Sequence, residues 1–234
     1  MLFLEQSFER ASASPELMDR LWAHGWRHFG THFFRYSIAW HGGRWRTVMP
    51  LRIDLDRFTP SRSQRRILAK NRDVQVVIRD TVIDEEKERM FYGHIRRFRE
   101  RVPSSLYDFF SHTPASVPCR NEEICVYLNE RLIAASFLDI GETATSGVYA
   151  MFDEAEARRS LGIFTILAAM RYSRERGCRY YYPGYAYHEP SFYDYKKNFA
   201  GLEYLDWEQG WQPLSRGLQN NEAGADVENV FELE

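Results

Sequence analysis

Apolar positions along the chain recur at two spacings, and the places where the spacing changes mark its elements. From residue 15 the order Leu17, Met18, Leu21, Trp22 is that of an amphipathic helix, with Ser14 at the N-cap and Pro15 at the first helical position; Gly25 ends it. Residues 31 to 40 and 45 to 55 are rich in β-branched and aromatic side chains, which predicts two strands joined by a His41-Gly42-Gly43-Arg44 turn. Helical spacing returns over residues 61 to 71, with Ser61 or Ser63 as cap and Asn71 as stop. It returns again from Asp84 to Arg101, where acids lead and bases trail as the helix dipole favours, and Pro103 stops it.

Three prolines and four serines between Val102 and Pro118 make that stretch the most linker-like, so a domain boundary is expected there. After it the spacing is that of strands. Glu123–Leu128 and Arg131–Ile140 read as a hairpin turning at Asn129-Glu130, and Ala144–Phe152 as a third strand. An apolar run from Ile163 to Met170 forms a helix entered through Arg158-Arg159-Ser160-Leu161-Gly162 and stopped at Gly177. Tyr180-Tyr181-Tyr182 reads as a strand broken by Pro183-Gly184. A loop rich in rings (Tyr185, Tyr187, Phe192, Tyr193, Tyr195) then leads to Lys196-Lys197-Asn198-Phe199. The pattern divides the chain into an N-terminal helix-and-strand subdomain over 1–110, a second domain over 111–212, and an acidic, mobile tail over 213–234.

Composition narrows the function classes. A net charge of −2 is far from that of a non-specific nucleic-acid binder, so any contact with nucleic acid rests on local patches. No stretch approaches the ~20 apolar residues of a membrane span, and the first residues lack a basic and then apolar leader. A cytoplasmic protein without a membrane partner is expected. Cys119, Cys125 and Cys178 are odd in number and lack metal-site spacing, so each reads as a small buried apolar residue. His24, His28 and His32 are spaced by four, but Gly25 and Gly30 interrupt the helix that would align them. They read as surface or supporting histidines, and no metal site is expected. Arg62, Arg65 and Arg66 share one helix face, either as a solvated basic face or as a forked site for carboxylate or phosphate.

The order strand-strand-strand-helix-strand in the second domain is that of the GNAT acyltransferases. The fold class expected is therefore α/β (α+β), with a GNAT-like acyltransferase fold: a mixed, mostly antiparallel sheet flanked by helices. Arg159 and Gly162 match the start of that class's pyrophosphate-binding helix, where bare N–H groups meet an anion. Phe164 stands where a second small residue belongs, and a ring there counts against coenzyme A.

A second resemblance is more specific. Pro60-Ser61-Arg62-Ser63-Gln64-Arg65-Arg66 resembles the signature of the aminoacyl-tRNA–protein transferases, which include arginyl-tRNA–protein transferase and its bacterial leucyl-transferring relatives. Ser160-Leu161-Gly162-Ile163-Phe164, Tyr181-Tyr182-Pro183-Gly184-Tyr185 and Tyr195-Lys196-Lys197-Asn198-Phe199 are similar to further blocks of that family, as are Leu138-Asp139 and Phe152-Asp153. The blocks are collinear over about residues 15 to 207. The chain departs from the family in lacking its N-terminal cysteines, since Leu2-Phe3-Leu4 and His41 to Val48 contain none. Phe192-Tyr193 also replaces the family's Lys-Met, which removes a cation near the acceptor site.

The resemblance implies transfer of an aminoacyl group, leucyl or arginyl, from aminoacyl-tRNA to the α-amine of a protein or peptide N-terminus with an acidic first residue. The donor ester is already activated, so no cofactor and no metal is expected. What the enzyme must do is align the two reactants and move a proton. The residues implied are Asp139 as base and Tyr195 as a donor to the oxyanion. Arg62, Arg65, Arg66, Lys196 and Tyr185 would bind substrate, and Arg159, Ser160, Gly162 and Tyr181 the tRNA 3′ end. Two other readings fit the same residues: an acyl-coenzyme A-dependent N-acetyltransferase, and a non-catalytic relative that binds aminoacyl-tRNA or peptide without turnover.

Overall fold

The computed structural model describes residues 3–98 and 102–214. In chain order its elements are β1 (Glu5–Glu9), α1 (Pro15–Ala23), β2 (Arg27–Phe29), β3 (His32–Tyr36), β4 (Ile38–His41), β5 (Arg44–Asp54), α2 (Arg62–Lys70), β6 (Gln75–Asp80) and α3 (Glu85–Ile95). There follow β7 (Asn121–Leu128), β8 (Arg131–Ile140), β9 (Ala144–Phe152), α4 (Leu161–Glu175), β10 (Tyr180–Tyr187), β11 (Leu202–Asp206) and β12 (Gly210–Pro213).

One large sheet takes the order β12-β11-β5-β10-β9-β8-β7-β6, with β4 paired to β5. Every pairing in it is antiparallel except β9 with β10, the two strands that flank α4 in sequence. The expected mixed, mostly antiparallel sheet flanked by helices is therefore what forms. β4, β5 and β6 come from the first 110 residues yet lie in the same sheet as β7 to β12. A separate three-stranded sheet, β1-β3-β2, carries the rest of the N-terminal strands.

Strand alternation sorts the core. Ile124, Leu138 and Ile140 pack with Ile166, Leu167 and Met170 of α4. Their neighbours Cys125, Ala135 and Phe137 pack with Phe91 of α3. Tyr181 joins the first cluster, whereas Tyr182 joins Met18 and Trp22 of α1 and Phe33 of β3. The Phe164 ring is buried beside Val126, Ile133, Ala134 and Leu161, so it turns away from the helix start where it was expected to crowd an anion.

Local signals fix most element ends. Ser14 accepts the Leu17 N–H at the start of α1, and Asp84 accepts that of Lys87 at the start of α3. α3 stops at Ile95, before the Arg101 expected, and residues 99–101 of that expectation lie outside the described residues. β10 does not end at Tyr182. Pro183 has no N–H to give to β5, and the register shift between Tyr181 and Gly184 absorbs it; pairing resumes at Gly184 with Leu51. The expected tail overlaps β12, and from residue 215 onward it lies outside the described residues. No described helix is long and apolar enough to cross a membrane.

Candidate active site

A gap in the sheet organises the site. β9 and β10 pair only from Tyr180–Ala144 to Tyr182–Ser146, and then separate. On its other side β9 pairs with β8 as Gly147 with Leu138 and Tyr149 with Phe137, so Val148 is an extra residue. Past Ser146, Val148 has no partner strand residue on either side in the pairing registers.

Three segments furnish this gap. β2 brings Arg27, whose guanidinium donates to the Ser146 hydroxyl and, at 2.6 Å, to the Gly147 carbonyl. The 3₁₀ turn over Phe192–Lys197 brings Lys196, whose Nζ donates to the Tyr185 carbonyl at 3.3 Å and lies 5.2 Å from the centre of the Tyr193 ring. β10 brings Gly184 at φ +93°, where a Cβ would come within 3.4 Å of Lys196 Nζ and 3.8 Å of Arg27 Cζ. The missing side chain is what lets two cations reach the same few ångströms of strand. Among the described residues no carboxylate forms an ion pair with either one. The acid that acts on Arg27 is Asp139, which His28 already holds.

Gly184→Ala is accordingly expected to cost about 1–3 kcal/mol of stability from backbone strain and to weaken binding at the gap. Thermal denaturation and substrate titration of the same variant separate the two effects. A variant with unchanged Tm and unchanged KM would show that the close approach does not matter.

The phenols around the gap remain proton donors. Burial pushes the Tyr195 phenol up to about 12, with Tyr193 adding to the shift. Burial raises Tyr181 further still, and its hydroxyl would meet a Cβ on Gly147 at 2.7 Å, so Gly147 is the residue that leaves it room. Burial pulls Lys196 down to about 7, and the neighbouring Arg27 charge adds to the pull.

The residues singled out in the sequence scatter over four places. Lys196, Tyr181 and Tyr195 lie around the gap. Arg62 and Arg65 line a groove of about 910 Å³ with Ser61, Ser63, Arg57 and the backbone of Asn198–Leu202, while Arg66 is exposed outside it. Gln64, inside the same block, is buried: its side chain accepts from the Ser61 N–H and donates to the Asn198 carbonyl at 2.9 Å. The signature thus ties α2 to the segment that carries Lys196.

Arg159 is not open to a ligand. It forms two 2.9 Å bonds to the Asp73 carboxylate and a third to Glu156, which pins the end of α2 to the start of α4. Asn71 reinforces that seam by donating to the Arg159 carbonyl. Ser160 caps α4 in the left-handed region at φ +56° and makes no side-chain cap bond. Gly162 lies beside Phe152, whose ring is 3.7 Å from where its Cβ would be, and the Arg97 guanidinium lies 4.4 Å from the centre of that ring.

Tyr185 and Asp139 do structural work. The Tyr185 hydroxyl donates to the Gly25 carbonyl at 2.6 Å, and its ring packs edge-on against Phe34 and Tyr36. It fastens the small sheet to β10. Asp139, the base that the resemblance implies, is buried between His28 at 2.8 Å and Asn121 at 2.8 Å. Burial alone would raise this carboxyl; the His28 charge and both hydrogen bonds outweigh it and hold the pKa below the usual range. A lowered, occluded carboxylate is a poor base for an incoming ammonium.

His28, Cys119 and Asp139 place their donor atoms within 4.8 Å of one another and are hydrogen-bonded among themselves. Burial and the Asp139 charge keep the Cys119 thiol well above its ordinary value, so it is no nucleophile. The other two histidines of the spaced set face elsewhere, His24 to the Arg20 carbonyl and His32 to Glu9.

Arg27 and Val148 went unnoticed in the sequence. Arg27 carried no signal beyond its place next to His28, and the bulge that frees Val148 leaves only poor alternation over Ala144–Phe152.

Comparison with known proteins identifies a family. The model of the arginine-tRNA-protein transferase N terminus matches residues 3–66, and that of its C terminus residues 83–206. An aspartate/glutamate leucyltransferase of Aeromonas hydrophila is 31% identical over 195 residues, which cover 80% of this chain and 77% of the relative. That of Saccharophagus degradans is 28% identical over 201 residues, 82% of this chain and 81% of the relative. Among solved structures, L-PGS from Bacillus licheniformis matches at TM-score 0.47 and 14% identity, over 80% of this chain and 55% of that one.

Proposed function

The chain belongs to the arginine-tRNA-protein transferase family and is an aminoacyl-tRNA–protein transferase, and from that premise we propose that it carries leucine or arginine from aminoacyl-tRNA to proteins that begin with aspartate or glutamate. The observation that carries the acidic preference is the pair Arg27 and Lys196, a guanidinium and an amine, both half-buried, converging on Gly184 without a carboxylate partner among the described residues. An acceptor's side-chain carboxylate supplies what they lack. This pair also answers the loss of the family's cation at Phe192-Tyr193.

The acceptor enters the gap with its carboxylate on Arg27, which still has free N–H donors after serving Ser146 and Gly147. The α-amine then lies beside β9. The ester carbonyl of the aminoacyl-tRNA is laid along the separation of β9 and β10, with the terminal adenosine toward Phe152 and the start of α4. Attack develops negative charge on the carbonyl oxygen, and the Tyr181 or Tyr195 hydroxyl, each kept protonated by burial, is the donor that receives it. Alignment of ester and amine is the larger contribution, of order 7–11 kcal/mol in well-oriented systems. Arg62 and Arg65, in their groove beside Asn198–Leu202, take phosphates of the tRNA acceptor arm. The reaction takes place in the cytoplasm, where charged tRNA is found.

Purified protein incubated with labelled Leu-tRNA or Arg-tRNA and peptides beginning with Asp, Glu, Ala or Lys tests this directly. Label should pass to the Asp and Glu peptides and not to the Lys peptide. Tight coenzyme A binding in a calorimeter with no transfer from either tRNA would replace the proposal with an acetyltransferase. Peptide binding without transfer would make the chain a non-catalytic relative.

A further inference from the structure

We propose that Lys196 is the base of the reaction, taking the proton from the acceptor's α-ammonium and so coupling the acidic side chain to the making of the nucleophile. The inference rests on the acceptor reading above and adds to it a role for one amine. Something must remove this proton: a free α-amine is mostly ammonium at neutral pH, with a pKa of roughly 8. Asp139 cannot do it, being buried and committed to His28 and Asn121.

Lys196 Nζ is where the proton must go. Among the described residues its one hydrogen-bond partner is the Tyr185 carbonyl at 3.3 Å, which leaves room for a lone pair to face the gap. The groups around it come from every neighbouring element. Arg27 on β2 is the cation opposite and Tyr193 on its own turn presents a ring, while Tyr181, which senses the same Arg27 charge, and Tyr195 beside Tyr193 are phenols kept neutral by burial. Asp194, the acid on the same turn, is paired with Lys197 at 2.8 Å. Two half-buried cations side by side repel, and an arginine does not give up its proton, so the lysine does. Burial with the Arg27 charge accordingly brings Lys196 down to about 7, close to the working pH of a general base.

An acceptor carboxylate changes that balance. Paired with Arg27, it offsets the charge that kept Lys196 neutral, and the amine gains proton affinity just as an α-ammonium arrives three bonds (Asp) or four bonds (Glu) from that carboxyl carbon. The proton passes from the α-nitrogen to Nζ, leaving a free amine whose lone pair attacks the ester carbonyl carbon. The C–N bond forms and the carbonyl electron pair moves to oxygen. On its return the bond from carbon to the ribose oxygen breaks. The remaining excess proton on the new amide nitrogen passes to that oxygen, giving a free tRNA hydroxyl. Lys196 then releases its proton to solvent. A neutral first residue leaves Lys196 less basic, so it is disfavoured in the chemical step as well as in binding.

Two measurements test this. In protein labelled with ¹³C at lysine Cε, the resonance missing from Lys196→Arg should titrate near pH 7 and move upward by about one unit or more when an Asp-initial peptide is added. A midpoint that stays near the ordinary lysine value, or that does not move upward with the peptide, overturns the proposal. In kinetics, Lys196→Arg fixes a positive charge at this position and cannot act as base. It should hold peptide KM within about threefold while kcat at pH 7 falls by at least about tenfold and recovers as pH rises past the acceptor's own pKa. A smaller fall in kcat, or a loss confined to KM, shows a carboxylate ligand and not a base, and overturns the proposal. If the unaltered protein transfers nothing, the acceptor reading fails on its own account, and the titration still decides whether this lysine is built to be neutral.

Discussion

Arg27→Ala is expected to lower kcat/KM for an Asp- or Glu-initial peptide by about 30-fold to more than a thousandfold, the range for truncating one member of a buried hydrogen-bonded charge pair. Most of the loss should appear in KM, because the guanidinium meets the acceptor's side chain in ground state and transition state alike. The slower transfer to an Ala-initial peptide should change much less. Arg27→Lys should recover little, since an ammonium cannot bridge the Ser146 hydroxyl and the Gly147 carbonyl while offering a fork to a carboxylate. Steady-state assays with the two peptides, alongside the Tm of each variant, check this. Equal losses on both peptides would mean that Arg27 merely props β9 away from β10.

That residue shows where sequence reading stopped. The strand-strand-strand-helix-strand order of β7 to β10 was legible because it is written in local spacing, and the family signature was legible because it is contiguous. The gap between β9 and β10 is not local. It comes from a bulge at Val148, a proline without an N–H at residue 183, and an arginine more than a hundred residues earlier. Nothing near Arg27 in sequence marks it as different from Arg20 or Arg35.

The same distinction explains the residues that were assigned other work. Arg159 looked like an anion ligand because it precedes a glycine-started helix, but Asp73 was too far along the chain to be seen as its partner. Gln64 was passed over as a polar member of a basic block, yet it is the buried one, and the arginines on either side are exposed because it faces inward. Strands β1, β2, β6, β11 and β12 were missed because most are short and each depends on a partner strand for its register. Gln75–Asp80 did carry a Val76-Val77-Ile78 run that should have been read as a strand.

Asp139→Ala is expected to be among the most destabilising single substitutions in the chain, and its effect on chemistry should be small once folding is accounted for. Removing this carboxylate strands His28 and the Asn121 amide in a site closed to water. Breaking a buried pair in this way costs about 3–5 kcal/mol, which in a chain of this size lowers Tm by roughly 6–20 °C. Asp139→Asn keeps the volume and one acceptor oxygen and should lose less. Because the carboxyl is held below its usual pKa, its contribution is complete at neutral pH and is lost only as pH falls below about 4 through the lowered value. Thermal melts of wild type and Asp139→Asn should therefore converge toward low pH and separate toward neutrality. Were Asp139 instead the base implied by the sequence, Asp139→Asn would melt like wild type and lose kcat by at least about a hundredfold. Measuring kcat per folded molecule, well below the variant's Tm, decides between a carboxylate that holds β2 in place behind Arg27 and one that handles the proton.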